Sequence, residues 1–213
     1  GAQHSQAIQA LFTHIPGLKV VMPATPYDAK GLMISAVEDD NPVVYIDDRW
    51  LYAEEGDVPE QPYTVPIGKA NCLKAGKDVS IVAVSYMVKL AQEAAMILAG
   101  HGIDAEVIDV RSLSPFDEDT VFSSVKKTGK VVVCDSGWYT CGVAADIAAR
   151  IAEKAFDCLR APILRVTLPD APAPSATSEE KAYYPTAQNI VQAVLKIATP
   201  SPMPVHAVTV GSE

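Results

Sequence analysis

The stretch from Val79 to Asp117 constrains the fold more than any other part of the sequence. It begins with VSIVAVS, a nearly continuous apolar run rich in β-branched residues, which indicates a strand buried on both faces. YMVKLAQEAAMILAGHG then spaces its apolar residues three and four apart, as an amphipathic helix does, and Gly100 or Gly102 can end that helix. IDAEVIDVRS returns as a second strand. This order predicts two parallel strands joined by a right-handed crossover.

The sequence on either side of this unit continues the alternation of strands and helices. We expect a helix that starts at Pro115, with Asp117, Glu118 and Asp119 in its first turn. The other expected elements are a strand at Lys69–Leu73 that forms a hairpin with the VSIVAVS strand, the strand GKVVVCD, the helix VAADIAARIAEKAF, the strand PILRVTL and the helix TAQNIVQAVLKIA, capped by Thr186. Together they predict an α/β domain with helices on both faces of a mostly parallel five-stranded sheet.

The first fifty residues predict a smaller unit of the same kind. Residues 7–15 favour a short helix, and LKVVMP and PVVYI favour strands on either side of a longer helix. That helix has a clear start, because Thr25 can cap it, Pro26 suits its first position and Asp28 suits its positive end. Its expected buried stripe consists of Leu32, Met33, Ala36 and Val37. Residues 53–65 are acidic and rich in proline, which predicts an extended linker between two domains.

Composition excludes several classes of function. The net charge of −9 among 213 residues leaves no basic run for binding nucleic acid. No apolar stretch reaches about 18 residues, and the first residues are polar, so we expect neither a membrane span nor a signal peptide. The four cysteines form no C-x-x-C pair, which argues against a metal site. Reduced thiols in a cytoplasmic protein are the simpler interpretation.

Candidate ligand-binding residues follow the strands, since ligands of open parallel sheets gather at the carboxyl ends of strands. These ends carry Ser85-Tyr86, Arg111-Ser112 and Asp135-Ser136. A dinucleotide site would need glycines directly after the first strand, and none occurs there, although Asp109 could serve as the ribose-binding acid. The SGWYTCG loop could cradle an anion at a helix start. Alternatively it is a turn whose Trp138 packs on a neighbouring domain, and we favour this alternative.

The segment GAQHSQ contains the most informative single residue. His4 lies among amides and a hydroxyl just ahead of a helix, where its ring could be oriented and still face a cavity. A histidine in such a place can donate a hydrogen bond or move a proton near neutral pH. A lone histidine is more often a bystander, and no nucleophile motif such as G-x-S-x-G accompanies it.

Residues 1–52, which contain HSQ, PGLKVV-x-P, DAKGL and NPVV in that order, resemble the second half of the cofactor-pyrimidine domain of thiamine diphosphate enzymes. Residues 66–198 resemble the carboxy-terminal domain shared with transketolase, through PIGKA, the pattern D-x-R-S-L-x-P-x-D at Asp109–Asp117, and Gly137-Trp138 before a helix. The family with the best match is the beta subunit of the decarboxylase component of 2-oxoacid dehydrogenases of the pyruvate and branched-chain type.

The resemblance implies a function and several site residues. It implies decarboxylation of a 2-oxo acid on thiamine diphosphate with magnesium, followed by acyl transfer to a lipoyl-bearing acyltransferase. It implies that His4 faces the thiazolium ring, with Phe12 or His14 nearby. It also implies a potassium ion bound largely through carbonyls, and the matching positions are Ala36, Val37, Asp39 and Asn41. The implied partners are alpha-type subunits and a second beta-type subunit in a heterotetramer.

The departures from the family pattern limit what this sequence can do alone. The family's glutamate that activates the aminopyrimidine would lie ahead of HSQ, and no G-D-G with a paired asparagine follows, so we expect the chain to be a fragment or a split subunit. Residues 199–213 extend beyond the family's end as an expected flexible tail. Two other functions stay open: a transketolase or deoxyxylulose-phosphate synthase relative acting on sugar phosphates through Arg49 or Arg111, and a non-catalytic module for subunit assembly.

Overall fold

Eight strands and seven α-helices follow one another along residues 4–198, the part of the chain described by a computed structural model. The strands are β1 (Lys19–Val21), β2 (Val43–Tyr45), β3 (Asn71–Lys74), β4 (Val79–Ala83), β5 (Ala105–Asp109), β6 (Ser112–Ser114), β7 (Val131–Trp138) and β8 (Leu164–Leu168). The α-helices are α1 (Gln9–Thr13), α2 (Pro26–Glu38), α3 (Tyr86–Gly100), α4 (Glu118–Thr128), α5 (Val143–Ala155), α6 (Thr177–Tyr183) and α7 (Ala187–Ala198). The tail predicted at 199–213 lies outside the described residues.

A five-stranded sheet forms the larger part of the fold. Its order is β3-β5-β4-β7-β8, with β3 antiparallel and the other four strands parallel. One apolar core joins a face of this sheet to α3 and α7, and a second core joins the other face to α4 and α5. The predicted architecture, helices on both faces of a mostly parallel five-stranded sheet, is therefore confirmed.

The unit at Val79–Asp117 is confirmed in most of its details. Every residue of β4 is buried, and β4 pairs in parallel with β5. Helix α3 buries the apolar stripe that its spacing predicts, and Gly102, rather than Gly100, has the left-handed conformation just past the helix end (φ 73°). Burial of this whole unit explains why its pattern is so clear in the sequence.

The short strand before β4 pairs with a different neighbour than the sequence predicts. β3 is the antiparallel edge of the sheet, as expected, but it pairs with β5 and not with β4. The predicted hairpin is wrong because β4 already has parallel partners on both sides, β5 and β7. A chain that turns back at Ala75-Gly76-Lys77 must therefore cross to the far side of β5.

The helix predicted from Pro115 begins later. α4 starts at Glu118, and the carboxylate of its cap, Asp117, accepts a hydrogen bond from the backbone N–H of Thr120 at 3.3 Å. The preceding residues form β6, which pairs antiparallel with β1. This strand was not predicted, because three residues are too few to show a period.

β6 completes a second, three-stranded sheet of order β2-β1-β6. β1 and β2 are parallel and flank α2, as the sequence predicts. The predicted cap is also confirmed, since the Thr25 hydroxyl accepts from the N–H of Asp28 at 3.1 Å. The small sheet thus combines strands from the first fifty residues with one strand that follows β5.

The predicted buried stripe of α2 is largely wrong. Leu32 is buried, but Met33 is 45% exposed and Val37 is 78% exposed. The inward face instead carries Asp28, Gly31 and Ser35, and the Ser35 hydroxyl donates to the backbone carbonyl of Val65 at 2.6 Å. A hydrophobic period cannot identify a face whose buried groups are polar and hydrogen-bonded.

The segment at 53–65 has no helix or strand, yet part of it belongs to the core. Val65 is buried and forms a small cluster with Val21 and Leu32, and Tyr63 packs beside them. Tyr63 also stacks on Tyr27 with ring centroids 4.4 Å apart. Its last residues are therefore anchored on α2. Helix α6, between β8 and α7, was not predicted at all.

Candidate functional site

A cleft of about 790 Å³ lies where the start of the described chain meets the larger sheet. Its walls come from residues 4–9, from residues 46–50 after β2, from Tyr86 and Met87 at the start of α3, and from residues between 177 and 186. We call it the His4 cleft. It opens beyond the carboxyl ends of β2, β4 and β7, the edge at which parallel sheets bind ligands.

His4 lines this cleft and is exposed. The residues between it and α1 have no regular secondary structure. Phe12, by contrast, packs against the core beneath α4 and α5, and His14 lies exposed at the end of α1. Neither of these two lines the cleft. Of the three residues singled out in this segment, the fold presents only His4 to it.

Three aromatic rings form one wall of the cleft. The Trp50 ring lies 5.7 Å from that of Tyr86 and 5.6 Å from that of Tyr184, measured between centroids. Trp50 is nevertheless 58% exposed. Sequence reasoning singled out Tyr86 as a strand-end residue but missed Trp50 and Tyr184, which come from distant parts of the chain. Such rings can pack against an apolar or flat ligand and exclude water from it.

Charged residues lie next to Trp50 in the lining of the cleft. The Asp48 carboxylate accepts from the N–H of Trp50 at 3.0 Å, and burial raises the pKa of Asp48. The Tyr52 hydroxyl donates to Asp47, which holds the turn in place. Arg49 and Lys181 also line the cleft. The cleft therefore offers both signs of charge, beside an imidazole and an aromatic surface.

The strand-end residue Arg111 connects the two sheets and does not face the cleft. It has a left-handed backbone (φ 55°), and its guanidinium donates to Asp28 Oδ1 at 2.8 Å and to the carbonyl of Ala70 at 3.2 Å. Both partners of the ion pair are nearly buried. Ser85 also connects the two parts, because its hydroxyl donates to the carbonyl of Pro23 at 3.2 Å.

Asp109 lies in the interior, beside this ion pair. It is fully buried, its Oδ1 accepts from the N–H of Arg111 at 3.1 Å, and its Oδ2 has no hydrogen-bond partner among the described residues. Burial, followed by the nearby Asp28 carboxylate, raises the pKa of Asp109 to about 8, although Arg111 opposes the shift. A carboxyl group enclosed in this way is not accessible to a ribose.

The helix start after the SGWYTCG loop faces a carboxylate of the protein itself. Asp135 is fully buried, and the backbone N–H groups of Gly137 and of the first residues of α5 lie near its carboxylate, although its Oδ2 has no hydrogen-bond partner among the described residues. Trp138 donates its indole N–H to the carbonyl of Ala171 at 3.1 Å and to the Tyr183 hydroxyl at 3.0 Å. Trp138 therefore packs within its own domain, and the prediction of a neighbouring domain is wrong.

The candidate potassium positions lie at the end of α2. Asp39 leaves the helical conformation (φ −81°, ψ 134°), so the last helical carbonyls, including those of Ala36 and Val37, are not capped by a further turn. Lys19 forms an ion pair with Asp39, and the N–H of Asn41 donates to Asp39 Oδ1 at 2.9 Å. Lys19, then Asn41, lower the pKa of Asp39 to about 2.

Two further properties of the described residues bear on ligands. Residues 4–198 contain no group of three or more His, Cys, Asp or Glu side chains arranged to hold a metal ion. In the same range, no helix combines the length and the apolar character needed to cross a membrane. All four cysteines are free thiols, and Cys134 is a buried core residue.

The fold and its cleft define the class of protein. Residues 68–190 match the family described as "Transketolase, C-terminal domain", and residues 1–54 match "Transketolase, pyrimidine binding domain". The chain therefore belongs to the transketolase family, and the predicted resemblance to this superfamily is confirmed.

Individual relatives narrow this class. The chain is 48% identical over 196 residues to the Bacillus subtilis acetoin:2,6-dichlorophenolindophenol oxidoreductase subunit beta. This match covers 92% of this chain and 57% of that protein. It is 45% identical over 196 residues to the Rickettsia felis pyruvate dehydrogenase E1 component subunit beta, covering 92% and 60%. The chain thus spans less than two thirds of either relative.

Among solved structures, a split-gene transketolase described as an inactive beta4 tetramer is similar. The two chains superpose with a TM-score of 0.79 at 30% sequence identity, over 93% of this chain and 63% of the other. The predicted fold class is thereby supported independently of the sequence relatives.

Proposed function

We propose that this chain is the beta-type part of a thiamine-diphosphate-dependent enzyme that cleaves the bond beside a carbonyl and passes the acyl group to lipoamide. The observation that carries the proposal is the placement of His4, within the HSQ segment, in a cleft at the carboxyl ends of the strands. The relatives support it, since those named above are beta subunits of a pyruvate dehydrogenase and an acetoin oxidoreductase.

The His4 cleft fits part of such a cofactor. Thiamine diphosphate, when bound, supplies the electron sink that stabilises the carbanion left by bond cleavage. The exposed imidazole of His4 can donate or accept a proton, and the aromatic rings around Trp50 can exclude water from the reacting atoms. For the magnesium–diphosphate end, residues 4–198 offer no group of three or more His, Cys, Asp or Glu side chains arranged to hold a metal ion. We assign that end to an alpha-type subunit.

The proposed assembly follows from this division of the site. Alpha-type subunits would supply the diphosphate and magnesium, a second beta-type subunit would complete a heterotetramer, and a lipoyl-bearing acyltransferase would receive the acyl group. The relatives' names, which call them beta subunits, support a multi-subunit enzyme. We also propose a cytoplasmic location, on the basis of the free thiols.

The relatives leave two substrates, pyruvate and acetoin. Identity is slightly higher to the acetoin oxidoreductase subunit, at 48% against 45%. Sugar phosphates are a weaker alternative, because one of the two expected phosphate-binding residues, Arg111, is nearly buried and paired with Asp28. Measuring dichlorophenolindophenol reduction by the assembled enzyme with acetoin and with pyruvate would decide between the first two.

We further propose that a potassium ion binds at the end of α2, through Ala36, Val37, Asp39 and Asn41. The uncapped last carbonyls of the helix and the acidic turn after it favour a monovalent cation. The pairing of Lys19 with Asp39 already neutralises one carboxylate there. This supports a site built from carbonyl oxygens more than one built from side chains.

The experiment that tests the proposed function is His4→Ala in the full-length subunit, assembled with its partner. We expect reductive acylation of lipoamide to fall by about 10²–10⁴-fold, which is the usual cost of removing a general acid–base group. The melting temperature should stay close to that of the wild type, because His4 is exposed.

His101→Ala is the matched control. His101 is also exposed, but it lies at the end of α3 and does not line the cleft. Loss of activity in His4→Ala alone supports the proposal. Wild-type rates in both variants would favour a non-catalytic module for subunit assembly.

A further inference from the structure

A buried hydrogen bond joins the segment that carries His4 to the larger sheet. Gln9 Nε2 donates to Asp135 Oδ1 at 2.7 Å, between residues 126 positions apart in the sequence. Gln9 is 2% exposed and Asp135 is fully buried. A glutamine is seldom enclosed to this extent unless its amide has a fixed partner.

Gln9 is the only residue of α1 that is buried. α1 has five residues, far fewer than a helix needs to be stable without tertiary contacts. Ala10 and Phe12 pack partly against the core beneath α4 and α5, which sets the distance of α1 from the sheet. The hydrogen bond from Gln9 adds a directional constraint that apolar packing does not provide.

The acceptor belongs to the larger sheet. Asp135 lies in β7 directly after Cys134, where the pairing with β4 ends and the pairing with β8 becomes irregular, and its carboxylate lies near the first backbone N–H groups of α5. Gly137 leaves room for the pair, since a Cβ there would lie 2.6 Å from Asp135 Oδ2 and 3.2 Å from Gln9 Nε2. Ser136, which directly follows Asp135 in β7, lines the cleft together with Gln9 and His4.

We infer that the hydrogen bond between Gln9 and Asp135 positions the HSQ segment in the His4 cleft, which makes both residues positioning residues for the reaction. The inference rests on the proposed function. Residues 5–8 form no helix or strand and lead directly from His4 into α1, so the place where α1 is held contributes to the place of the imidazole. A displacement of about 1 Å at a reacting group can cost about 10²-fold in rate.

The first test is Gln9→Leu in the assembled enzyme, with and without His4→Ala. The leucine keeps a similar volume but donates no hydrogen bond. We expect acyl transfer to fall about 10–100-fold when His4 is present and less than about threefold when it is absent, because the two changes act on one unit. Equal losses in both backgrounds would show a merely structural role and overturn the inference.

Hydrogen exchange of the amides of residues 5–13 provides a readout independent of activity. We expect at least about tenfold faster exchange in Gln9→Leu, since the constraint on α1 is lost. Thr13→Val is the matched control, because it removes a hydrogen bond within α1, from the Thr13 hydroxyl to the carbonyl of Ala10, without touching Asp135. Exchange in Gln9→Leu equal to that in the control would refute the inference.

Gln9→Glu tests the pairing with Asp135 directly, and it provides a second variant in case Gln9→Leu does not fold. Two facing carboxyl groups can share a proton at low pH but repel each other when both are ionised. Exchange of residues 5–13, corrected for intrinsic rates, should therefore rise with pH in Gln9→Glu and not in the wild type. A flat profile would contradict the pairing.

If His4→Ala keeps full activity, the proposed function fails, whereas these exchange measurements still decide whether Gln9 holds the segment.

Discussion

At the scale of single residues, Asp109 shows how a buried carboxyl group links stability to pH. Its pKa in the folded protein is about 8, mainly because of burial, against about 3.9 in an unfolded chain. Between these values the folded state binds more protons than the unfolded state, so stability falls as the pH rises through this window. The contribution of Asp109 to the free energy of unfolding is therefore fully present only below about pH 4.

Asp109→Asn should therefore be more stable than the wild type at pH 8 and similar to it near pH 4. The asparagine side chain can still accept from the N–H of Arg111, as Asp109 Oδ1 does, but it carries no charge. The expected difference in unfolding free energy at pH 8 is about 1–3 kcal/mol, below the ceiling of roughly 5–6 kcal/mol that about 1.4 kcal/mol per pH unit gives over a pKa difference of about four units. Urea denaturation at pH 4, 6 and 8 measures it.

Asp117→Asn is the control with the opposite sign. Burial raises the pKa of Asp117, but hydrogen bonds from Thr120 and Ala70 and the charge of Lys69 outweigh it, so the pKa is lowered overall. This carboxylate stabilises the fold above its unfolded pKa, and the contribution is lost as the pH falls. Asp117→Asn should be less stable than the wild type at pH 7. An Asp109→Asn variant that loses stability at pH 8 would contradict the assignment.

At the scale of elements, the packing of α2 on the segment after β2 can be tested at a glycine. A Cβ at Gly31 would overlap Val65 Cγ2 and lie 2.9 Å from Tyr63 Cε2. Gly31→Ala should thus cost about 1–3 kcal/mol through overpacking, despite the better helix propensity of alanine. Gly100→Ala in α3 is the control, because a Cβ there meets no atom within 4 Å. It should be neutral or stabilising by up to about 1 kcal/mol.

Thermal or urea denaturation of the two variants compares them directly. The prediction is wrong if both glycines tolerate alanine equally, which would mean that residues 63–65 are not held against α2.

The end of α2 is the element that tests the proposed potassium ion. Glu38, Asp39 and Asp40 follow one another at the negative end of the helix, and Lys19 pairs with Asp39 alone. The melting temperature should be higher in potassium chloride than in tetramethylammonium chloride at equal ionic strength, since only the smaller cation can be coordinated by carbonyls. Identical melting curves would remove the site.

At the scale of the whole molecule, the described residues supply only part of a site for the proposed cofactor. The His4 cleft offers an imidazole and aromatic rings, but residues 4–198 contain no cluster of side chains for a magnesium ion. We expect the isolated chain to bind thiamine diphosphate with magnesium weakly or not at all.

Isothermal titration calorimetry of the chain alone and of the assembled enzyme makes this comparison. Binding by the assembled enzyme only is the expected result. A dissociation constant on the order of micromolar for the chain alone would show that it holds the cofactor unaided, and would count against the division of the site between subunits.

The larger sheet and its helices could be predicted from the sequence because their side-chain environments are uniform. β4 is buried on both faces and α3 buries one regular stripe, so their apolar periods report the structure directly. Thr25 and Gly102 were predictable for a similar reason, since caps and left-handed helix ends depend on local chemistry.

Other features were decided only by tertiary structure. β6 and the polar inner face of α2 depend on partners far away in the sequence, such as β1 for the strand and Arg111 for Asp28. The same is true of the cleft, in which His4 was expected but Trp50 and Tyr184 were not. The contact of Gln9 with Asp135 has no local signal, because a buried polar residue can be identified only when its partner is known.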